Sequence, residues 1–541
     1  MSEKRIKVLH ILANSRPDLN GYAVRTHDLL SAQFDSGMVE PIGLTSPFYP
    51  ERESLIESVK VDDILYLRCP HPLHDDSDRK LGSGWLRRRA RNRTQENKPA
   101  ALEDSSKLVV TTNEQQEVVE NEVVEEETTQ VQFGLIRRIF REIRKKIRSI
   151  YRFVRRNSRR VFHASIRLTR RLHRFLKRNL RRASRPIRRL LRPFPMWVEE
   201  RLLMKRMEAG VIETARKVGA EVIHAHTPFR VGRPALRAAR RLKLPFIYEM
   251  RGIWEDTAVA NGRWKPTGLA YRRYRAMETR VLTSADWVIC ISETLRDEAI
   301  SRGVDPARIH IVQNAVDPEK IQSSQSESSS VTAEDEAHLA ETIVRIQRAS
   351  ETCVVGYIGS LRALEGVDDT ASAVALLSDE GRDVRLLVVS GVANQDELRE
   401  HCDEIGLGEK AIVTGPVPHE RVPKYYDLID VFVVSRPDQR VTRLVTPLKP
   451  FEAMMMGRAV VCSDLPALAE IVQDGERGLL YSAGDNRALA DCISHLIDDP
   501  SKRLRLGAAA KKWVVQCRTW PIVVQNSIEA YRKVLSSSGG N

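Results

Sequence analysis

Short apolar runs alternate with amphipathic spans in two stretches of this chain and are missing from a third. In the first stretch the runs fall at residues 5–12, 41–45, 63–68, 221–226, 244–250, 286–292 and 309–317. In the second they fall at 353–358, 385–390, 411–415, 430–434 and 459–463. Runs of five to nine mostly apolar residues without regular polar alternation are the pattern of strands covered on both faces. Most are separated by helix-length spans, so the repeat is strand–helix–strand and predicts two parallel sheets of the doubly wound kind. In such sheets ligands sit beyond the carboxyl ends of the strands. The chain therefore reads as α/β, two Rossmann-like domains facing across a cleft.

The third stretch, from about residue 71 to 195, breaks this pattern. Residues 71–112 are polar without periodicity, and residues 113–128 carry seven glutamates and no basic residue. Both read as linker or disorder. Then Ile136, Ile139, Phe140, Ile143, Ile147, Ile150, Tyr151 and Val154 recur at three- and four-residue steps among arginines. That spacing predicts an amphipathic helix with one apolar stripe, kinked or ended by Pro186 and Pro193. Three partners fit it: an anionic membrane surface, nucleic acid, or the upstream glutamates. The continuous apolar stripe favours a membrane or protein surface over nucleic acid.

Charge sharpens this division. Residues 137–192 hold 24 Lys and Arg against the single acid Glu142, a charge of +23. The whole chain carries +15, so the remainder is at −8 and its basicity belongs to the insert alone. The expected organisation is a first domain from 1–75 and 196–320, interrupted by an insert at 76–195. A linker at 321–350, a second domain at 351–520 and a returning helix at 521–541 follow. Seven scattered cysteines without CxxC spacing read as buried thiols of a reducing cytoplasm. No secretory leader or membrane-spanning run is expected, so the reading is a cytoplasmic protein, with the insert holding it peripherally at the inner membrane face.

Candidate chemistry gathers at the predicted strand ends. Residues 445–457 read as a tight turn opening a short helix that ends at Gly457, before the strand at 459–463. A helix start offers free N–H groups to a phosphate, and Glu452 in its second turn suits sugar hydroxyls; alternatively it is an ordinary solvated helix residue. Gly21 lies in the loop after the first strand, either near a ligand or as a turn glycine. That loop lacks GxGxxG, which argues against a dinucleotide site. His226 ends one strand, either facing the cleft or capping the next turn.

Thr446-Pro447-Leu448-Lys449-Pro450-Phe451-Glu452-Ala453-Met454, followed by residues 457–464, resembles the sugar-nucleotide segment of the retaining GT-B glycosyltransferases of family 4. The segments 224–228, 248–255, 291–293 and 314–317 resemble further landmarks of that family, in the same order, and the resemblance covers about 5–70 and 196–535. It implies a GT-B fold and a glycosyltransferase moving a sugar from a nucleotide-sugar donor to a glycan or lipid-linked acceptor of the cell envelope, with retention. It implies catalytic roles for His226 and Glu452. Donor contacts are implied for Gly21, Ser360, Arg362, Pro418, Thr446, Pro447, Leu448 and Glu452. Arg436, Arg440 and Arg443, just before that helix, are expected to add charge for the diphosphate, or alternatively form a solvated arginine cluster. No DxD ends a strand, so neither a metal nor another cofactor is expected. Two positions depart from the family pattern: Leu444 replaces the first of two glutamates, and Glu365 stands where a lysine is common. A GT-B nucleotide-sugar epimerase, or a weakly catalytic scaffold built around the basic arm, would share much of this pattern.

Overall fold

The computed structural model describes residues 4–18, 20–48, 58–69, 193–323, 332–347, 349 and 351–538. The chain divides into two compact units, Met1–His71 with Arg201–Asn541, and Pro72–Glu200. Of the second, only residues 193–200 are described, within the helix Pro193–Val218. The expectations for residues 76–192 lie outside the described residues. Pro193 opens that helix, at the position where proline's missing N–H costs nothing.

The first unit contains two lobes. The N-terminal lobe is an eight-stranded sheet formed by β1 (Ile6–Leu12), β2 (Val39–Thr45), β3 (Ser58–Val61), β4 (Ile64–Arg68), β5 (Val222–His226), β6 (Phe246–Met250), β7 (Trp287–Cys290) and β8 (Ile309–Ile311). Its order is β3-β4-β2-β1-β5-β6-β7-β8, parallel except for the β3–β4 edge pair. The chain winds outward from β1 in one direction and returns at β5 on the other side. The crevice for a ligand therefore opens between β1 and β5. β5 and β6 are buried along their whole length, as strands sandwiched between helices must be.

The C-terminal lobe has six parallel strands, β9 (Cys353–Ile358), β10 (Val384–Val389), β11 (Ala411–Thr414), β12 (Val431–Val434), β13 (Ala459–Ser463) and β14 (Leu479–Tyr481). Their order is β11-β10-β9-β12-β13-β14, so the direction of winding reverses between β9 and β12. The span 321–350 is not a plain linker. It contains the helix Ala333–Ile346, started by a reciprocal capping box between Thr332 and Asp335. The helix Trp520–Ser538 packs Trp520, Val523, Val524 and Ile528 onto Val8, Val222 and Ile247 of the first sheet. All seven cysteines are free thiols; burial pushes Cys402 up to about 11 and Cys69 up to about 12.

Candidate active site between the two sheets

Strand register assembles the N-terminal half of the site. His10 lies opposite His224 across β1 and β5, and His226 lies opposite Glu249 across β5 and β6. All four side chains are fully buried. His10 Nδ1 and His226 Nε2 share a 3.0 Å hydrogen bond. His226 Nδ1 stands 2.7 Å from Glu249 Oε2, and His224 Nε2 stands 3.3 Å from the same oxygen. The Tyr531 hydroxyl, from the C-terminal helix, accepts from Gln33 Nε2 and lies 2.8 Å from His224 Nδ1.

Two arginines balance Glu249. Arg25 Nη1 donates to Oε1 at 2.7 Å, and Arg251 Nη2 donates to Oε2 at 3.3 Å. Burial alone would raise the Glu249 pKa, but the guanidiniums of Arg251 and Arg25 outweigh it and hold the carboxylate well below its usual range. Burial also drives His10 and His226 well below the ordinary histidine value, so both rings are neutral. The ligating atoms of His10, His224 and His226 lie within 4.8 Å of one another. The His224 and His226 rings stack at 4.4 Å, with two arginines at the carboxylate beneath them. This donor set is a hydrogen-bonded imidazole chain in a positive field, a poor cage for a cation.

Of the two readings of His226, facing the cleft or capping the next turn, neither includes the full burial that the structure shows. Its ring is enclosed by His10 and Glu249, because the register stacks it inside the sheet end. Gly21 does open onto space: it begins the helix Gly21–Asp35, and a Cβ there would meet nothing within 4 Å.

The second half comes from loops beyond the β9–β12 switch. Thr446 and Pro447 are buried, and Leu448 caps the seven-residue helix Lys449–Met455. Glu452 is half-buried on that helix, and its Oε2 accepts from the Tyr426 hydroxyl at 3.0 Å. Burial raises the Glu452 pKa, opposed by His419, Tyr426 and Lys449. Ser360 and Pro418 are exposed at loop tips after β9 and β11. Arg362 is half exposed and paired with Glu365 at 2.7 Å.

Arg440 and Arg443 do not gather there. Arg440 crosses to the N-terminal lobe, donating to Asp256 Oδ2 at 3.1 Å and Glu298 Oε2 at 2.7 Å. Arg443 is exposed and forks onto Asp438. Arg440 belongs to a band of contacts that closes the lobes on each other. Asn314 Nδ2 donates to the Thr446 carbonyl at 3.1 Å, Glu470 accepts from the N–H groups of Glu293 and Thr294, and Thr294 Oγ1 donates to the Leu444 carbonyl. Leu444 itself packs, with Val445, on the N-terminal core. A glutamate at 444 would have to desolvate its charge against that apolar surface, which gives a physical reason for the leucine.

Sequence reading missed two residues here, His10 and Lys449, while Arg436 is the one of the three arginines before the helix that stays beside it. Arg436 and Lys449 both reach the buried Glu365, at 3.1 Å and 3.0 Å.

Two doubly wound sheets, closed carboxyl edge to carboxyl edge and linked by a returning helix, define the GT-B class. Residues 352–499 match the model for glycosyl transferases group 1, and residues 148–320 match that for glycosyltransferase family 4. The two matches support a GT-B glycosyltransferase. The chain is similar to an alpha-maltose-1-phosphate synthase of Mycolicibacterium smegmatis, 25% identical over 62% of this chain and 84% of that one. It is also similar to D-inositol 3-phosphate glycosyltransferase 1 of Catenulispora acidiphila, 27% identical over 59% of this chain and 74% of that one. In fold it resembles the sucrose-phosphate synthase of Thermosynechococcus elongatus, with a TM-score of 0.60 at 15% identity, covering 99% of this chain and 100% of that one. The protein is a glycosyltransferase. Among the described residues, no helix is long and apolar enough to cross a membrane.

Proposed function

We propose that the protein moves a sugar from a nucleotide-sugar donor to an acceptor hydroxyl of a cell-envelope glycan or lipid-linked acceptor, with retention of anomeric configuration. The observation that carries this reading is the closed cleft. The turn at Thr446–Leu448 is bound to Asn314, so a donor held by the C-terminal lobe meets the strand ends of the other lobe.

Negative charge builds on the leaving diphosphate as the glycosidic bond breaks, so cations and N–H groups fixed beside it lower the barrier. Arg362, Ser360 and the Thr446–Leu448 turn border that position. Glu452 would accept from donor hydroxyls, with Pro418 along the nucleotide and Gly21 leaving room at the opposite wall. His226 would act on that wall indirectly, through Glu249 and Arg25 of the helix that Gly21 begins. Glu249 is occupied by two arginines and Asp256 by Arg440 and Tyr271, so neither is a ready nucleophile. That favours attack on the same face as the departing diphosphate, with the phosphate taking the acceptor proton. Nothing in this scheme calls for a metal or another cofactor.

The Arg-rich insert would hold the enzyme against an anionic cytoplasmic membrane face, a reading that rests on sequence alone. UDP-, GDP- and ADP-sugars offered with and without glycan or lipid-linked acceptors, and followed by proton NMR, test the reaction. An α-linked product from an α-donor supports it. A β-linked product refutes retention, and donor conversion without acceptor indicates an epimerase. Equal co-sedimentation of the protein with neutral and anionic vesicles would remove the electrostatic part of the membrane reading.

A further inference from the structure

The winding reversal between β9 and β12 brings together charges that do not balance. Glu365, on the loop after β9, is fully buried. Arg436, on the loop after β12, is 7% exposed and grips both Glu365 oxygens at 3.1–3.2 Å. Lys449 Nζ, from the helix that carries Glu452, lies 3.0 Å from Oε2 at 17% exposure. Arg362 completes the group from its more exposed side. One carboxylate therefore faces three cations. The cations outweigh burial and hold Glu365 far below the usual carboxylate range. Glu452, on the same helix as Lys449, is engaged by the Tyr426 hydroxyl instead. An excess of positive charge, held partly out of water, is costly until an anion joins it.

The positions are fixed rather than fluid. Lys449 crosses Gly359, where φ is +148° and a Cβ would stand 2.1 Å from the lysine Cε. Its ammonium also lies over the Tyr357 ring, 5.2 Å from the centroid. Arg436 Nη1 donates to the Val445 carbonyl at 3.0 Å, which aims its fork from the segment leading into the helix. Gly366, at φ +65°, lets the two loops touch: a Cβ there would fall 1.7 Å from the Ser435 carbonyl oxygen. By contrast, Arg440 and Arg443 are already engaged by acids.

We infer that Lys449 and Arg436 are the cations that take the donor diphosphate, and that Glu365 is a positioning residue that gathers and partly neutralises them while the site is empty. This rests on the nucleotide-sugar reading above. It exchanges the roles expected of the two segments: the loop after β9 supplies the carboxylate, and the Glu452 helix supplies the lysine. Glu365 does not touch the donor; it sets where the two cations stand.

The test uses the full chain. Uridine, guanosine and adenosine diphosphates and the matching monophosphates are titrated by calorimetry, with thermal melting of each unliganded protein. Lys449→Met should weaken binding of the preferred diphosphate about tenfold or more, the loss of one charge-assisted contact, and change monophosphate affinity far less. Unliganded Lys449→Met should melt no lower than wild type, because an uncompensated cation is gone; a purely structural lysine would lower the melting temperature. Glu365→Gln should melt lower without ligand, and inorganic pyrophosphate should stabilise it more than it stabilises wild type. Undiminished diphosphate affinity in Lys449→Met overturns the inference and leaves the nucleotide-sugar reading intact. A pyrophosphate gain no larger in Glu365→Gln than in wild type overturns the role of Glu365. If wild type binds none of the three diphosphates, the underlying reading and this inference fall together.

Discussion

Glu278 offers a stability test with a definite sign. It is buried on the helix Leu269–Ser284, beneath the turn that follows His226. Its carboxyl accepts from the Phe229 N–H at 2.8 Å and from the Tyr248 hydroxyl. Burial raises its pKa from 4.5 to about 7, helped by Glu255 and opposed by Tyr248, Phe229 and Arg302. A raised pKa on an acid means that the folded protein holds a proton the unfolded chain has released. Its contribution is fully present below the unfolded value and fades as pH rises to the folded one. The displacement is about 2.5 units, and at 1.36 kcal/mol per unit it removes roughly 3 kcal/mol between about pH 4.5 and 7. Glu278→Gln keeps an acceptor for Phe229 and Tyr248 but cannot titrate. Relative to wild type, the variant should therefore gain roughly 3 kcal/mol on going from about pH 5 to about pH 8. Urea unfolding followed by tryptophan fluorescence across that range reads the difference. A constant gap between the two proteins, or a variant that loses ground as pH rises, refutes the reasoning.

Other substitutions probe the joints of the cleft. Gly366→Ala places a Cβ against the Ser435 carbonyl in a left-handed conformation, so it should cost more than about 2 kcal/mol in urea unfolding; a wild-type midpoint would mean the two loops are free to part. Arg440→Met removes the cross-lobe pairs with Asp256 and Glu298. Because Arg440 is 41% exposed, the cost to stability should stay near 1 kcal/mol, while small-angle scattering shows a wider particle and the donor KM rises; an unchanged scattering profile would count against the clasp. Tyr531→Phe strips the hydroxyl that joins Gln33 to His224 and leaves buried polar atoms without it, at about 1–3 kcal/mol, read as a lower melting temperature. A neutral result there would show that the returning helix is held by its apolar face alone.

The two-sheet architecture was legible because strands such as Cys353–Ile358 are apolar throughout and are followed by a helical span. The edge strand Ser58–Val61 was not, since four residues with two exposed carry little periodic signal. The helix Ala333–Ile346 was missed inside a span read as linker, although Thr332 and Asp335 spell its capping box. For the site, the strand end pointed to His226. Its pairing with His10 and Glu249 depends on register between strands far apart in the chain, which no local pattern records. The arginines before the Glu452 helix were taken as phosphate ligands because they are near it in sequence. In the fold, Arg440 turns to the opposite lobe and Arg443 to Asp438, so of those arginines Arg436 alone joins Lys449, from within the motif, at Glu365. Leu444 was readable as a missing glutamate, but the apolar surface it meets belongs to the other lobe.

The central claim is that the closed cleft binds a nucleotide-sugar through the segment containing Glu452. Calorimetric titration of UDP-, GDP- and ADP-sugars into wild type and Glu452→Ala tests it most directly. The account predicts one saturable site for a nucleotide-sugar in wild type, weakened about tenfold or more when Glu452 no longer accepts the sugar hydroxyls. No binding of any of these donors by wild type, or equal affinity in Glu452→Ala, would contradict it.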